Sequence, residues 1–398
     1  MNNLLVVISS VCAAQKLGRL YLDRKSVDGL KQYAAEWDGP VKCIMREGDA
    51  SDIVFGAEYE QAELPFTIDI VSQGVINASY LEDAAIVLAS GDNYLDYLLP
   101  HQTTAPVVFV VENPLKTRLQ ILKIENGISM RLVKSALWSI NSEFQRRRAF
   151  RKAASLQCNG QPAYDSYSSL TRMALLFFDT RTSESSQIDI PSLARKQATV
   201  LEGRPLRIAF SGRLDPIKGV THLVPIFENL RKRGVPATLD IYGEGSSRQT
   251  IENAVRATKL NGLITLHGPV DFDTELLPAL KERTDLFLCC HRQSDPSCTY
   301  LETLGCGVPI VGYGNAAFTG VLALGKVGMS VPIDDINGAA SAIAQLSQNR
   351  QMLSSMMDSA ATVGREHSFE KEFAARVRHL AEVVAFHAGR SIIISRML

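Results

Sequence analysis

Two basic residues in the segment SGRLDPIKG (211–219) are the first candidates for chemistry. Arg213 and Lys218 lie in a turn that directly follows a short apolar run and leads toward a helix. Small residues let the backbone turn sharply at a strand end, and a helix N-terminus carries partial positive charge. Two cations beside a helix start therefore suit a phosphate or a diphosphate. Spacing alone leaves a second interpretation open, a pair of solvated surface cations.

A Gly-x-Gly turn in the segment IYGEGSSRQTIE (241–252) is a weaker candidate. Gly243 and Gly245 stand between a predicted strand and a predicted helix, where glycine permits the backbone to approach a ligand closely. The pattern is shorter than the dinucleotide fingerprint GxGxxG, because Arg248 occupies the place of the third glycine. A simple tight turn is the alternative, and the pattern by itself favours it.

The segment DLFLCCHRQSDPSCTYLETLGCGVPIVGY (285–313) is the richest in polar residues next to a predicted strand. A buried strand is expected to end near His291, and a helix is expected to begin a few residues later. This arrangement puts Ser297, Thr299 and Glu302 at the carboxyl edge of the sheet. Unpaired backbone N–H groups at the start of a helix can hold an anion there.

Helix capping explains the same residues without a ligand. Thr299 and Glu302 fit a capping box, in which the glutamate accepts a backbone N–H. Asp295, directly before a proline, fits a helix cap. Local sequence leaves capping and ligand binding equally open. His291 is expected to be a hydrogen-bonded residue at the strand end.

Short apolar runs alternate with helical stretches on both sides of a connector at 180–205, which is rich in Ser, Thr and Pro. Such runs are typical of strands buried in a parallel sheet, and repeated strand-helix units imply helices on both faces. We therefore expect an α/β chain of two tandem, Rossmann-like, doubly wound domains. In such sheets ligands bind at the carboxyl ends of the strands. The runs before the connector are LLVVISS (4–10), VKCIM (41–45), AAIVLAS (84–90) and PVVFVVE (106–112), and those after it are LRIAFS, TLDIYG, LITLHG, DLFLCC and VPIVGY.

Composition excludes several classes of protein. The chain has 398 residues, of which 46% are hydrophobic, and its 42 basic residues balance its 42 acidic ones. Length and apolar content exclude a chiefly disordered or collagen-like chain. Zero net charge argues against a protein that coats nucleic acid, because that binding needs an excess of Lys and Arg. No run reaches the roughly 20 apolar residues that span a bilayer, and the N-terminus is a poor secretion signal. We expect a soluble, cytoplasmic protein.

Metal and thiol chemistry find little support in the sequence. The seven cysteines form no CxxC pair, and the seven histidines show no HExxH spacing. Neither a zinc site nor a redox motif is therefore indicated. The segment 211–219 also lacks the GxxxxGK[ST] pattern of a Walker loop, and no GxSxG nucleophile elbow is present.

Five segments together resemble the C-terminal domain of the family 4 glycosyltransferases, which are retaining and have the GT-B fold. They are SGRLDPIKG, the strand-GEG turn, LHGPV, the Glu-bearing helix followed by GCGVPIVGY, and GKVGMSVPIDD, in that order between Arg207 and Ile343. The resemblance implies two domains facing a cleft, 1–200 for the acceptor and 201–380 for a nucleotide sugar. It also implies a last helix, at about 381–398, that packs back on the N-terminal domain.

The resemblance carries roles onto matching residues of this chain. Arg213 and Lys218 would hold the diphosphate of the donor and stabilise the leaving group, and Glu302 would bind the ribose. No metal is implied, because fixed cations and backbone N–H groups replace it. The remaining expected donor contacts are Gly212, Gly243, Gly245, His267, Val270, Ser297, Cys298, Thr299 and Tyr300.

Two departures from the family pattern affect the expected site. The family usually has two glutamates eight positions apart, but Ser294 stands where the first is expected, with Asp295 beside it as the candidate replacement. In the N-terminal domain, Glu112 takes roughly the place of a family histidine after a later strand. Arg19, near the lone glycine after the first strand, is a further candidate for acceptor binding.

A basic segment points to a membrane-bound acceptor. Residues 116–152 hold ten basic residues and two acidic ones, with apolar residues at helical spacing that include Trp138. Such a segment suits anionic lipid headgroups, although a solvated helix face over an ordinary core is the alternative. The resemblance then implies sugar transfer to a saccharide on a polyprenyl-diphosphate carrier in polysaccharide assembly, at the cytoplasmic face of a membrane. The rival hypotheses are a sugar synthase with a small soluble acceptor and a non-catalytic nucleotide-sugar-binding protein.

Overall fold

The computed structural model describes residues 3–16, 18–53, 55–127 and 129–397. Its strands are β1 Leu4–Ile8, β2 Ala14–Lys16, β3 Arg19–Asp23, β4 Val41–Arg46, β5 Gly56–Tyr59, β6 Thr67–Val71, β7 Ala84–Ser90, β8 Val107–Val111, β9 Ser155–Asn159, β10 Ala174–Phe177, β11 Leu206–Ser211, β12 Ala237–Tyr242, β13 Ile264–Gly268, β14 Leu286–Cys289, β15 Ile310–Tyr313 and β16 Gly328–Val331. Its α-helices are α1 Arg24–Glu36, α2 Leu99–Gln102, α3 Leu115–Asn126, α4 Met130–Lys152, α5 Gln161–Tyr167, α6 Ile190–Leu201, α7 Leu223–Lys232, α8 Arg248–Ala257, α9 Leu277–Arg283, α10 Thr299–Gly305, α11 Ala316–Leu322, α12 Ile336–Gln348, α13 Arg350–Glu366 and α14 Phe369–Met397.

The first parallel sheet is built from the N-terminal half of the chain. Within the described residues its strand order is β10-β9-β8-β7-β1-β4-β6, and every pair in it is parallel. The order reverses between β1 and β7, so the loops that follow these two strands diverge and leave a crevice at the carboxyl edge. Strands β2, β3 and β5 form a separate, small antiparallel sheet in the order β2-β3-β5.

The second parallel sheet has the order β13-β12-β11-β14-β15-β16 in the described part of the chain. Here the reversal falls between β11 and β14. The loops after these two strands are the segments that the sequence singled out, 211–219 and 290–298. Fold topology thus brings the two richest motifs side by side.

Helices cover both faces of each sheet, so each sheet lies between two apolar cores. One core of the second sheet packs Phe210 and Leu288 against Phe227 of α7, and the other packs Phe287 against Leu304 of α10. The apolar strands explain this burial, because a strand buried on both faces needs successive apolar residues. The expected α/β class with two doubly wound sheets is confirmed.

The last helix returns to the first sheet. Phe373, Val377 and Leu380 of α14 are buried in the same core as Leu5 and Tyr33. The helix begins at Phe369, before the predicted start at about 381. The predicted connector at 180–205 also differs from a plain loop, because it contains α6, whose Leu193 and Val200 are buried. The apolar spacing inside this Ser-rich segment is what forms the helix.

Candidate functional site

Lys218 and Asp295 meet across the crevice of the second sheet. Lys218 ends a 3-10 turn, Pro216–Lys218, and only 7% of its surface is exposed. Its Nζ lies 3.4 Å from Oδ2 of Asp295. Arg213 is 70% exposed by side chain, and its guanidinium lies 3.5 Å from the carboxylate of Asp215. The site therefore has one cation held in place and one that extends into solvent beside it.

Glycine 219 allows the loops after β11 and β14 to touch. Its φ is +63°, and a Cβ there would lie 2.1 Å from the carbonyl oxygen of Cys290. No side chain fits at that distance, and the left-handed conformation itself favours glycine. The backbone N–H of Arg292 donates to the carbonyl of Ile217 at 3.1 Å, which joins the same two loops.

The Gly-x-Gly turn has a different partner from the one expected. A Cβ on Gly243 would lie 2.0 Å from the carbonyl oxygen of Gly212, and one on Gly245 would lie 2.7 Å from backbone atoms of Leu214. The N–H of Leu214 donates to the carbonyl of Glu244 at 2.8 Å. The close approach that these glycines permit is therefore to the neighbouring loop, so they shape the crevice of the second sheet by packing its loops together.

The turn before α10 presents backbone N–H groups at the crevice. In the described ranges, the N–H groups of Ser297, Cys298 and Thr299 have no acceptor within the protein. Tyr300 differs from the expectation, because its N–H donates to the carbonyl of Ser297 at 3.2 Å. The Tyr300 side chain is buried and stacks on Phe318, so it packs the turn against the core.

Glu302 is held by an ion pair and takes no part in a capping box. Its carboxylate accepts a hydrogen bond from Nε of Arg181 at 2.8 Å, and it is buried. Arg181 lies over the ring of Phe272, 4.0 Å from the ring centroid. The capping explanations are wrong: the residue at the N-cap of α10 is Cys298, so Asp295 is not the cap. A buried carboxylate beside the crevice is thus free of a helix-capping role.

The residue in place of the family's first glutamate has a packing role. The hydroxyl of Ser294 accepts the backbone N–H of Ala316 at 3.1 Å, at the start of α11. Its own N–H donates to Oε1 of Gln120, across from the first sheet, at 3.2 Å. Asp295 also accepts from Nε2 of Gln293 at 3.3 Å. The carboxylate at the crevice is therefore that of Asp295.

The loop after β13 borders the site from the side of the edge strand. His267 stacks on Tyr242 with ring centroids 4.6 Å apart, and its Nε2 lies 2.6 Å from Oδ1 of Asp240. Val270 is half-buried against the core. The His267 side chain is thus engaged on the face of the sheet.

The expectation for His291 is wrong. The ring is buried at the end of β14, and among the described residues neither ring nitrogen has a hydrogen-bond partner. Burial and the charge of Lys218 hold the pKa of His291 well below its usual value. His291 is therefore a neutral, buried imidazole at this end of β14.

A cavity of about 560 Å³ opens at the crevice of the first sheet. Its floor is formed by the loops after β1 and β7, the two strands where the order reverses. Charged side chains converge on it, among them Lys25, Asp92, Glu112 and Asp179. A volume of this size accommodates a sugar unit. Three carboxylates can accept hydrogen bonds from several hydroxyl groups.

Glu112 is the most perturbed carboxyl group of this cavity. Burial, reinforced by the charges of Asp92 and Asp179, raises its pKa to about 7. Nδ2 of Asn159 donates to its Oε1 at 3.2 Å. Asp92 is itself fixed, because Arg146 donates to it at 2.8 Å. Such a carboxyl group changes charge near neutral pH, where it can bind a hydroxyl group or move a proton.

Arg19 does not line the cavity, which corrects the sequence expectation. It lies on β3 of the small antiparallel sheet, where its guanidinium is 3.7 Å from Glu60. The first turn leads into this side sheet, and that topology carries Arg19 away from the crevice.

Lys25 links the two crevices, although no motif around it indicated this role. Its Nζ lies 2.5 Å from Oδ2 of Asp179 and 3.4 Å from Sγ of Cys298, in the turn before α10. Burial opposes charge on Asp179, but the nearby Lys25 lowers the pKa of Asp179. Burial and Asp179 raise the pKa of Cys298 well above its usual value, so the thiol stays protonated.

Helix α4 carries an exposed apolar stripe, formed by Met130, Val133, Leu137, Ile140 and Phe144. Met130 is 74% exposed, Leu137 63% and Phe144 72%, and Trp138 beside the stripe is 60% exposed. Exposed basic residues surround it, whereas Glu143 is buried and paired with Arg118. Nowhere in the described ranges does a helix combine the length and the apolar content needed to cross a bilayer.

Metal ligands do not cluster in the described ranges: no group of three or more His, Cys, Asp or Glu side chains there could hold an ion. The expectation that no metal takes part stays a prediction.

Comparisons with known proteins identify the second domain. Residues 205–349 match the family described as glycosyl transferases group 1. The chain is 29% identical over 170 residues to phosphatidyl-myo-inositol mannosyltransferase of Mycolicibacterium smegmatis, a match that covers 42% of each protein. It is 26% identical over 136 residues to the UDP-N-acetylglucosamine–peptide N-acetylglucosaminyltransferase GtfA subunit of Streptococcus parasanguinis, covering 33% of this chain and 24% of that one. Each match thus spans less than half of the relative's length.

Solved structures match over almost the whole chain. HepE of Anabaena, solved in complex with UDP, superposes with a TM-score of 0.66 at 10% identity and covers 96% of this chain and 99% of that one. Sucrose-phosphate synthase from Thermosynechococcus elongatus gives a TM-score of 0.59 at 15% identity, covering 99% of both. At such identities the likeness shows the fold. The resemblance predicted from five motifs is confirmed: residues 205–349 match the group 1 glycosyl transferase family, and the chain has the GT-B fold.

Proposed function

We propose that this chain is a retaining glycosyltransferase that moves a sugar from a nucleotide-diphosphate sugar to a lipid-linked saccharide in polysaccharide assembly. The observation that carries the proposal is the pairing of Lys218 with Asp295 at the reversal of the second sheet, with Glu302 one helical turn beyond. Asp295 would face the donor sugar, Lys218 the diphosphate and Glu302 the ribose, which is the order of these groups in a nucleotide sugar.

The donor half of the reaction depends on the leaving group. The bond between the anomeric carbon and the β-phosphate oxygen breaks, and negative charge grows on that oxygen. Lys218 and Arg213 would stabilise this charge, together with the N–H groups of Ser297, Cys298 and Thr299. Analogous oxyanion donors are each worth roughly 3–4 kcal/mol of transition-state stabilisation. These protein groups would do so without a metal ion.

Asp295 would replace the family's first glutamate. Its carboxylate can accept hydroxyl groups of the donor sugar while Lys218 approaches the diphosphate beside it. Ser294 is engaged with Ala316 and cannot supply a carboxylate. The Glu302 carboxylate would exchange or share its partner Arg181 with the ribose hydroxyls. The neighbouring loop after β13 would meet the nucleobase through its backbone and Val270, since the His267 ring is engaged.

The acceptor half of the reaction would take place in the 560 Å³ cavity. The acceptor hydroxyl would attack the anomeric carbon from the face that the leaving phosphate vacates, and its proton would pass to that phosphate. Glu112 would hold a neighbouring hydroxyl of the acceptor. Closure of the two domains would exclude water, which otherwise hydrolyses the donor.

Membrane attachment would bring a lipid-linked acceptor to this cavity. The apolar stripe of α4, bordered by Trp138 and by cations, suits the interface of an anionic cytoplasmic leaflet. Helix α3, directly before α4, begins three residues after Glu112. An acceptor on a polyprenyl diphosphate in that leaflet would therefore reach the cavity along the α3–α4 side.

A screen of nucleotide-diphosphate sugars tests the catalytic proposal. A ligand that binds only the folded state raises the melting temperature, and NMR of the product from the best donor reports the anomeric configuration. We expect the donor's configuration to be retained. Donor binding without turnover on any saccharide acceptor would instead support the non-catalytic alternative.

Vesicle flotation tests the membrane part of the proposal. Replacing Leu137 and Phe144 by Ser should reduce binding to vesicles of phosphatidylcholine and phosphatidylglycerol, while transfer to a soluble acceptor stays unchanged. A matched control replaces Leu201 and Leu263, which are exposed elsewhere. Wild-type protein that does not float, yet turns over soluble saccharides rapidly, would favour the synthase alternative.

A further inference from the structure

A second cavity of about 560 Å³ lies at the far end of helix α4, and sugar transfer does not use it. The segments before β8, β9 and β10 form it together with α14, so it opens at the amino edge of the first sheet. The acceptor crevice lies at the carboxyl edge, roughly 17 Å away along a five-residue strand. We name this space the α4-end cavity.

The lining of the α4-end cavity is basic. Arg151 and Lys152 enter it from the last turn of α4, Arg172 from the loop before β10, and His387 from α14. None of its described lining residues is an Asp or a Glu. Within the described part of the chain, no carboxylate lies within 4.0 Å of the charged groups of Arg151, Lys152 or Arg172. Cations that share a cavity without carboxylates repel one another unless an anion joins them.

Hydroxyl groups complete the lining. Thr103, Thr104, Ser169 and Thr171 contribute to the same wall. Arginine binds phosphate through two parallel N–H groups, and serine or threonine hydroxyls add further donors. Cations at a helix C-terminus also stabilise the helix dipole, which accounts for Arg151 and Lys152. That explanation does not account for Arg172, which belongs to the loop before β10 and not to α4.

We propose that the α4-end cavity binds a phosphate group, and that Arg151 of α4 and Arg172 of the loop before β10 hold the phosphate oxygens. The exposed apolar stripe on the same helix favours the headgroup of an anionic phospholipid as the source, since acyl chains would then lie along α4. A free phosphate or a phosphorylated solute presents the same chemistry. The site is separate from the crevices of the proposed transfer reaction and does not depend on that reaction.

Two binding measurements on the full chain test the site. The test variant is R151Q/R172Q, and the matched control is R233Q/K326Q, which removes two exposed cations of the second domain. The first measurement is flotation with vesicles of phosphatidylcholine, with and without one-third phosphatidylglycerol. The second is the melting temperature in inorganic phosphate and in glycerol 3-phosphate. Circular dichroism and transfer to a soluble acceptor verify that each variant is folded.

We expect R151Q/R172Q to bind phosphatidylglycerol vesicles about 30-fold more weakly than the wild type, and the control to bind them equally. A loss confined to vesicles assigns the site to a lipid headgroup. A loss confined to the phosphate-induced rise in melting temperature assigns it to a soluble phosphate. If the test variant equals the control in both measurements, the cavity is not a phosphate site, whether or not sugar transfer is observed.

Discussion

The crevices of the two sheets share a topology and differ in charge. In each, the strand order reverses at the first strand of the domain, and loops at the carboxyl edge surround the opening. The second crevice presents Lys218 and Arg213, whereas the first presents Asp92, Glu112 and Asp179. Cations suit a diphosphate, and carboxylates suit hydroxyl groups. One scaffold thus supplies two opposite binding chemistries, and a few residues at strand ends decide which.

The junction of the crevices joins these chemistries. Lys25 of the first domain contacts Asp179. It also contacts Cys298, which lies in the turn before α10 where the donor is proposed to bind. Gln120 of the first domain makes a similar contact, because its Oε1 accepts the backbone N–H of Ser294 in the loop before α10. The carboxylate-rich crevice of the first sheet and the crevice of the second sheet are therefore joined by direct contacts.

Removing Lys218 should have the largest effect. K218A is expected to lower kcat by at least 100-fold, because a fixed cation at a leaving-group oxygen is worth roughly 3–4 kcal/mol. R213A should lower it by at least tenfold, since this more exposed side chain must first be ordered. Single-turnover donor consumption measures both. Near wild-type turnover in both folded variants would contradict the assignment of the diphosphate to the second crevice.

Neutralising Glu302 should weaken donor binding more than it slows chemistry. E302Q is expected to raise the dissociation constant of the nucleotide roughly tenfold or more, because hydrogen bonds to charged groups are worth about 1.5–3 kcal/mol. Titration calorimetry with the nucleoside diphosphate measures it. R181Q is the control, since it removes the observed partner and leaves the carboxylate. An unchanged affinity in E302Q would mean that Glu302 only anchors Arg181.

Neutralising Glu112 should affect the acceptor alone. E112Q is expected to raise the acceptor KM roughly tenfold, the lower end for one hydrogen bond to a charged group, because Glu112 with a pKa of about 7 is only partly ionised near neutral pH. Slow hydrolysis of the donor should be unaffected, because Glu112 lies in the other crevice. Initial rates with varied acceptor and fixed donor separate the two. A loss of donor hydrolysis in E112Q would contradict the division between the crevices.

The pH dependence of stability should show the smallest effect. Because the folded state raises the pKa of Glu112 to about 7, it binds this proton more tightly than the unfolded state does. The stability from Glu112 is then present below pH 4.5 and lost as pH rises through 7. The free energy of unfolding of E112Q, relative to that of the wild type, should therefore rise by about 1 kcal/mol between pH 5.5 and 8.5. Solvent in the cavity screens the charge and keeps this difference small. Urea unfolding at both pH values measures it, and a constant difference would contradict the raised pKa.

The apolar runs predicted most of the central strands, because a strand buried on both faces leaves a continuous apolar pattern. Strand β9 escaped this pattern. Three of the five residues in its sequence SLQCN are polar, yet all five are buried. Ser155 bonds His379, and Gln157 bonds the backbone and side chain of Arg376, all on α14. Partners more than 200 positions away make the burial possible, and no local signal reveals them.

The candidate site divides in the same way. Motif order singled out Lys218, Arg213 and Glu302, and the family match over residues 205–349 includes all three. The roles of these residues stay predictions. The partner of Glu302, the unpartnered ring of His291 and the link through Lys25 could not be predicted, because each depends on contacts between distant segments.

Periodicity and motif order are properties of neighbouring residues, so the sequence predicted most of the central strands, the two parallel sheets and the match of residues 205–349 to the group 1 glycosyl transferases. Which side chains share a crevice depends on the tertiary structure. In the folded chain the two glycines of the GEG turn pack against a neighbouring loop. Arg19 lies on the small antiparallel sheet, and Lys25 contacts the turn before α10. The physical reason is that the reversal of strand order brings together loops that are far apart along the chain, and only the folded sheet sets their distances and burial.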